Sequence, residues 1–117
     1  MKVKVPFEPS LVAQAAGIAA LDDKEFLAET LSINQEGMAF LEKEFDKIKI
    51  QTVNSNANFI TTVWKSEKYA TEITQALLEK GVIVRQLTAF GWPNCIRISI
   101  GLMSENQKCI QSLKEIL

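Results

Sequence analysis

The sequence has no histidine among its 117 residues. That removes the most versatile general base near neutral pH and the commonest zinc ligand at once. It has two cysteines, Cys95 and Cys109, too far apart for a CxxC or other metal-ligand spacing. Two such thiols are read as free and buried, in a cytosolic protein. Long apolar runs are also missing. The longest, Leu11 to Leu21, is alanine-rich and interrupted by Gln14, so it is too short and weak to span a bilayer. The N-terminus MKVKVPFEPS carries two lysines but no apolar core of a signal peptide. A formal net charge of −1 and a pI near 5.5 give no electrostatic case for nucleic acid or an anionic membrane surface. What remains is one domain's worth of chain, long enough to bury a core without disulfides or metal.

The pattern along the chain alternates between helical and strand periods. Pro6 and Pro9 favour an extended opening. Ser10 then caps a short helix, LVAQAAGIAAL, made mostly of small apolar residues and with little polar face for water. Asp22 and Asp23 form the next boundary, with acidic charge where the following helix dipole is positive. Lys24 to Lys47 reads as a long amphipathic helix, with Leu27, Leu31, Met38, Leu41 and Phe45 on one stripe flanked by Phe26, Thr30, Ile33 and Phe40. Ile48, Ile50 and Val53 suggest an edge strand, Asn54 to Asn56 a turn, and Asn58 to Trp64 a central strand rich in β-branched and aromatic residues.

A further helix is expected from Ser66 to Lys80, with Tyr69, Ile73, Leu77 and Leu78 inward and Gly81 at its C′ position. The strand VIVR, a ten-residue loop from Gln86 to Cys95, and the strand IRISI follow. The last helix opens on Ser104 and Gln107, a capping-box pattern, and buries Ile110, Leu113 and Leu117. The implied fold class is α+β: a small, mainly antiparallel sheet covered by helices in two layers.

Little catalytic chemistry is visible. The serines lack a histidine partner, the glycine spacings lack the Lys-Ser/Thr of a phosphate loop, and the acidic and lysine residues follow solvated helix faces. No lysine sits in an apolar setting that would lower its pKa for Schiff-base work. The loop TAFGWPN reads equally as a binding lip or as a buried anchor. Two arginines stand out instead. In IRISI the isoleucines share one face, so Arg97 and Ser99 share the other. A strand-borne guanidinium with no acid nearby in sequence needs an anion, and its planar fork suits a carboxylate or phosphate. Arg85, taken alone, reads as one half of a structural salt bridge. If its strand neighbours that of Arg97, the two guanidinium groups could converge.

GVIVR at 81–85, FGWPN in the loop, IRISIG at 96–101 and the terminal helix together resemble the C-terminal end of histidinol-phosphate aminotransferases. These are pyridoxal-phosphate enzymes of the aspartate aminotransferase fold. PFEPSLVAQAAGIAALDDKEFL is similar to that family's linker and long helix, and ANF at Ala57–Phe59 to its small-domain strand, so the resemblance covers essentially the whole chain. It implies that residues 1–22 are a linker and Ala-rich helix leading from a large domain, and that residues 23–117 are the small C-terminal domain. Arg97 would then bind the α-carboxylate of the amino-acid donor, or the phosphate of histidinol phosphate, and Arg85 would assist. The implied activity is amino-group transfer between histidinol phosphate or an amino acid and 2-oxoglutarate, in histidine biosynthesis.

The resemblance also implies partners that the chain itself lacks. The Ser-x-x-Lys segment, the aspartate for the pyridinium nitrogen, the tyrosine and the cofactor's phosphate cradle are absent. Pyridoxal 5′-phosphate is therefore expected in a homodimeric parent enzyme, and neither bound cofactor nor transamination by this chain alone. The alternative is a standalone, non-catalytic module derived from the same fold, binding an amino acid or anion or serving assembly.

Overall fold

A computed structural model describes residues 8–117. The expected extended opening around Pro6 thus lies largely outside the described residues. The chain divides into two compact units, one up to Leu31 and one from Ser32 to Leu117.

The first unit contains α1 (Leu11–Asp22) and the first two turns of α2 (Lys24–Lys47). The Ser10 hydroxyl accepts from the Ala13 N–H at 3.2 Å and starts α1. Asp23 accepts from the Phe26 N–H at 2.9 Å and starts α2, so the second aspartate of the pair is the cap. Every residue of α1 is exposed, including Leu11, Val12, Ile18 and Leu21. Phe26, Leu27 and Leu31 are more than half exposed, which corrects the expectation that the whole α2 stripe is core. The stripe is buried only further along, at Leu41 and Phe45, with Met38 and Phe40 partly buried.

The second unit is the α+β layer pair expected from the sequence. Its four-stranded sheet comprises β1 (Gln51–Val53), β2 (Phe59–Val63), β3 (Arg85–Leu87) and β4 (Trp92–Ser99), in the order β1-β2-β4-β3. All three pairings are antiparallel. The C-terminal half of α2, α3 (Glu67–Glu79) and α4 (Met103–Ile116) cover one face. Ile60, Ile96 and Ile98 point into that layer and meet Leu41, Phe45, Ile73, Leu77, Ile110 and Leu113 in a single cluster. Thr62 is the buried polar member of the same face. Its hydroxyl donates to the Ile96 carbonyl and accepts from Trp64 Nε1, so both of its roles are satisfied.

Several boundaries differ from expectation, each for a local reason. Arg85 begins β3 rather than ending it. Gly81 takes φ +74°, and the Val82 N–H turns back to the Leu77 carbonyl at 2.9 Å. This helix-ending motif uses the backbone that the predicted VIVR strand would have paired. The predicted ten-residue loop shrinks to a 3₁₀ turn, Thr88–Phe90, because β4 starts at Trp92. The register shift between Gln86 and Leu87 absorbs Pro93, which has no N–H to give to a ladder. Trp64 and Asn94 lengthen the β2–β4 ladder through the Trp64 N–H and the Asn94 side chain.

The edge strand starts at Gln51, because Lys49 adopts φ 57° and the Ile50 N–H caps α2 on the Phe45 carbonyl. The last helix starts at Met103, and Glu105 rather than Ser104 or Gln107 closes its first turn by accepting from the Leu102 N–H at 2.8 Å. Leu78 and Leu117, expected inside, are 50% and 55% exposed.

Two contacts lock α2 and α4 together. Glu44 is nearly buried and accepts from Lys114 at 2.8 Å and from Lys47 in its own helix. The Lys114 hydrogen bond, then that of Lys47, holds the Glu44 carboxyl at about 2, against an ordinary value of 4.5. A carboxyl whose folded value is depressed stabilises the fold fully above its ordinary value, and this contribution is lost as pH falls towards the folded one. The stability difference between wild type and Glu44→Gln, measured by urea unfolding, should therefore be largest near neutral pH and shrink between about pH 5 and pH 2.

The second contact is the close approach at Gly37. A β-carbon there would lie 2.5 Å from Ile100 Cγ2 and 2.7 Å from Asn106 Nδ2. Asn106 cannot yield freely, since its side chain donates to the Gly101 carbonyl and accepts from the Gly101 N–H, both at 3.0 Å. Helix propensity alone favours alanine over glycine by about 1 kcal/mol. Gly37→Ala should nevertheless destabilise by about 1–3 kcal/mol, the usual cost of overpacking, as a drop in thermal midpoint.

Candidate functional site

The sheet face opposite the helices carries the two arginines. In β4 the core-facing residues are Ile96 and Ile98, so Cys95, Arg97 and Ser99 belong to the other face. Arg97 pairs directly with Thr61 of β2 on one side and with Arg85 of β3 on the other. Directly opposed residues of antiparallel strands share a face, with Cβ atoms about 4.5–5.5 Å apart. The two arginines that sequence reasoning selected are thus brought together in one cross-strand row.

Like charges placed opposite each other across a ladder work against the fold. No acidic residue among the described residues pairs with either arginine. The ion pairs found there are Glu44 with Lys47 and Lys114, Glu72 with Lys68, and Glu115 with Lys80. Arg85 has no salt-bridge partner among them, contrary to the expectation for that residue. Each guanidinium rests instead on an aromatic ring: Arg97 Cζ is 5.4 Å from the Phe59 centroid, and Arg85 Cζ is 5.3 Å from that of Phe90. Such contacts orient a cation, contribute about 0.5–1 kcal/mol at exposed sites, and leave the fork's hydrogens available.

The rings were not selected from the sequence. Phe59 sits diagonally from Arg97, since its partner is Ser99, and only the register makes that visible. Phe90 belongs to the TAFGWPN loop, where it is 60% exposed and Trp92 53% exposed. The loop is therefore not a buried anchor, and Phe90 borders the arginine pair. Gln86, on the opposite face, ties the loop down by donating to the Pro93 carbonyl at 2.7 Å.

Other chemistry lies elsewhere or is disabled. A cleft of about 500 Å³ opens between residues 81–84 and 98–101, but neither arginine lines it. Its Glu105 and Asn106 side chains are engaged in the backbone of the α4 start. Both thiols are buried; desolvation pushes Cys109 up to about 11 and raises Cys95 as well, so neither is a ready nucleophile. Among the described residues no three-member cluster of acidic, thiol or imidazole groups could hold a metal. No described helix is long and apolar enough to cross a membrane.

Comparison with known proteins places this geometry in a family. The chain is 44% identical to histidinol-phosphate aminotransferase 1 of Psychrobacter arcticus and 40% identical to histidinol-phosphate aminotransferase of Akkermansia muciniphila. In each case the match covers 99% of this chain and 31% of the relative, so the chain spans about a third of their length. Among solved structures, a Burkholderia pseudomallei chain superposes with a TM-score of 0.78 at 23% identity, over 84% of this chain and 30% of its own. N-succinyldiaminopimelate aminotransferase of Mycobacterium tuberculosis does so at 0.72 and 19% identity, over 90% and 30%. At these identities the structures speak for the fold. The sequence profile of "Aminotransferase class I and II" matches residues 1–113, and the chain belongs to that family.

Proposed function

We propose that this chain is the substrate-clamping part of a histidinol-phosphate aminotransferase-like enzyme, with residues 23–117 as its small domain and residues 1–22 leading into it. The observation that carries this reading is the direct cross-strand pairing of Arg85 with Arg97 on the face away from α3 and α4, with no acid paired to either among the described residues. A pair that costs the fold stability is explained by an anion that the fold alone does not supply. Arg97 sits on the inner strand of the two and is half-buried, so it is the better held; its fork takes a carboxylate or phosphate through two parallel hydrogen bonds. Arg85, on the exposed edge strand, adds charge and a second fork. Together they fix one end of the substrate and so lower the entropy cost of aligning its amino group for transfer.

The apolar residues exposed along α1 support the view that this helix meets the remainder of a longer enzyme. Pyridoxal phosphate supplies the electron sink for amino-group transfer in enzymes of this kind. The residues described here do not fit it. Every described lysine is exposed, so no step of the chemistry is assigned to this chain. The cofactor site, the homodimer contacts and the groups that read the substrate's side chain belong, in this reading, to the other two-thirds of the enzyme. That enzyme would work in the cytoplasm, in histidine biosynthesis.

Calorimetric titration of the chain with glutamate and with histidinol phosphate should give millimolar or tighter binding, abolished in Arg97→Ala and weakened in Arg85→Ala. Binding that survives Arg97→Ala unchanged would contradict the clamp. Incubation with pyridoxal phosphate followed by borohydride should leave no specific adduct on any one lysine of this chain. A single stoichiometric adduct would mean that part of the cofactor site is here after all.

A further inference from the structure

The row that holds the arginines has a third polar member. Thr61 lies directly opposite Arg97 on β2, as Arg85 does on β3, so the three side chains share one face in the order Thr61, Arg97, Arg85. Neighbouring strands are about 4.8 Å apart, so the Thr61 and Arg85 backbones stand about 10 Å apart, a gap that the long arginine side chains can bridge towards a shared anion. Thr61 is only 6% exposed, yet its hydroxyl makes no hydrogen bond to any described residue. Its neighbour Thr62 shows the contrast, with its hydroxyl fully used inside the core. The one side-chain polar atom that is both sealed from solvent and unpartnered among the described residues is Asn34 Oδ1. The Thr61 oxygen is therefore unpartnered but still reachable from outside. The Arg97 guanidinium leans the right way to share a ligand with it, since it rests on Phe59, which precedes Thr61 by two positions on the same strand face.

Resting on the clamp described above, we infer that Thr61 is a ligand-binding residue whose hydroxyl donates to the anion held by Arg97 and Arg85. Its presence tunes the site towards a phosphomonoester over a carboxylate. A carboxylate has two oxygens, and one bidentate arginine engages both. A phosphomonoester presents three outer oxygens around a tetrahedral centre. It can occupy the Arg97 fork, the Arg85 fork and the hydroxyl together, and only such a ligand makes full use of the row.

The test uses the whole chain with inorganic phosphate and acetate as probes, comparing dissociation constants by NMR titration at fixed ionic strength. Thr61→Val keeps the shape and strand preference but removes the hydroxyl. It should weaken phosphate binding about tenfold, as expected for loss of one hydrogen bond to a charged group, and change acetate binding less than twofold. Thr61→Ser restores a hydroxyl and should recover most of the phosphate affinity. Phosphate binding unchanged in Thr61→Val, or acetate weakened as much as phosphate, overturns the role of Thr61 while leaving the arginine clamp in place. Phosphate binding that is indifferent to Arg97→Ala overturns the clamp itself and this inference with it. If Thr61→Val fails to fold, Thr61→Ser and Thr61→Cys are compared instead, and equal phosphate affinity in the two counts against the inference.

Discussion

The alternation of side chains along β4, a strand paired on both edges, is the constraint on which the rest of this domain depends. One set of alternate residues, Ile96 and Ile98, is driven into the helical layer by the hydrophobic effect. That burial leaves no freedom for the set between them. Once the isoleucines are inside, Arg97 must stand on the opposite face, and a one-residue slip would exchange the two sets completely. The polar face is held in place by the apolar one. Positioning of the arginine row therefore comes from core packing, with no structural ion pair required.

This division of labour extends to the helices. Contacts between helices give several charged side chains their partners: Glu44 between Lys47 and Lys114 across α2 and α4, and Lys80, at the C-cap of α3, with Glu115 of α4. The start of α4 is pinned by the two-way grip of Asn106 on Gly101 and by the missing side chain at Gly37. The sheet face away from α3 and α4 has the reverse character: its two arginines have no acidic partner among the described residues and rest on rings.

Much of this was legible from sequence because it follows short-range rules. Ser10, Ser66 and Gly81 mark helix ends through local backbone chemistry, and the alternation in IRISI gives the two faces of β4 directly. The arginines were legible for the same reason, as charges out of phase with an apolar pattern. What was not legible depends on long-range register. The misplacement of β3 came from the Val82 N–H, whose capping of α3 competes with strand pairing and leaves the apolar triplet Val82–Val84 outside the sheet. The long α2 stripe misled because periodicity shows that a face is apolar but not which stretch of it finds a partner. Phe59 and Phe90 are invisible as neighbours of arginine until the strands are laid side by side.

The topology that builds the row also sets when it can exist. β2 and β4 are adjacent in the sheet but separated by α3, β3 and a turn in the chain; Thr62 and Ile96, which meet across them, are 34 positions apart. Closing a loop of that length must precede any benefit from the contacts it brings, and such non-local pairings slow folding. Thr61 and Arg97 thus meet in the same step that closes the longest connection between paired strands among the described residues. A chain with its helices formed but this ladder open would retain much of its secondary structure and lack the row entirely. Assembly of the arginine row and completion of the sheet are then a single event.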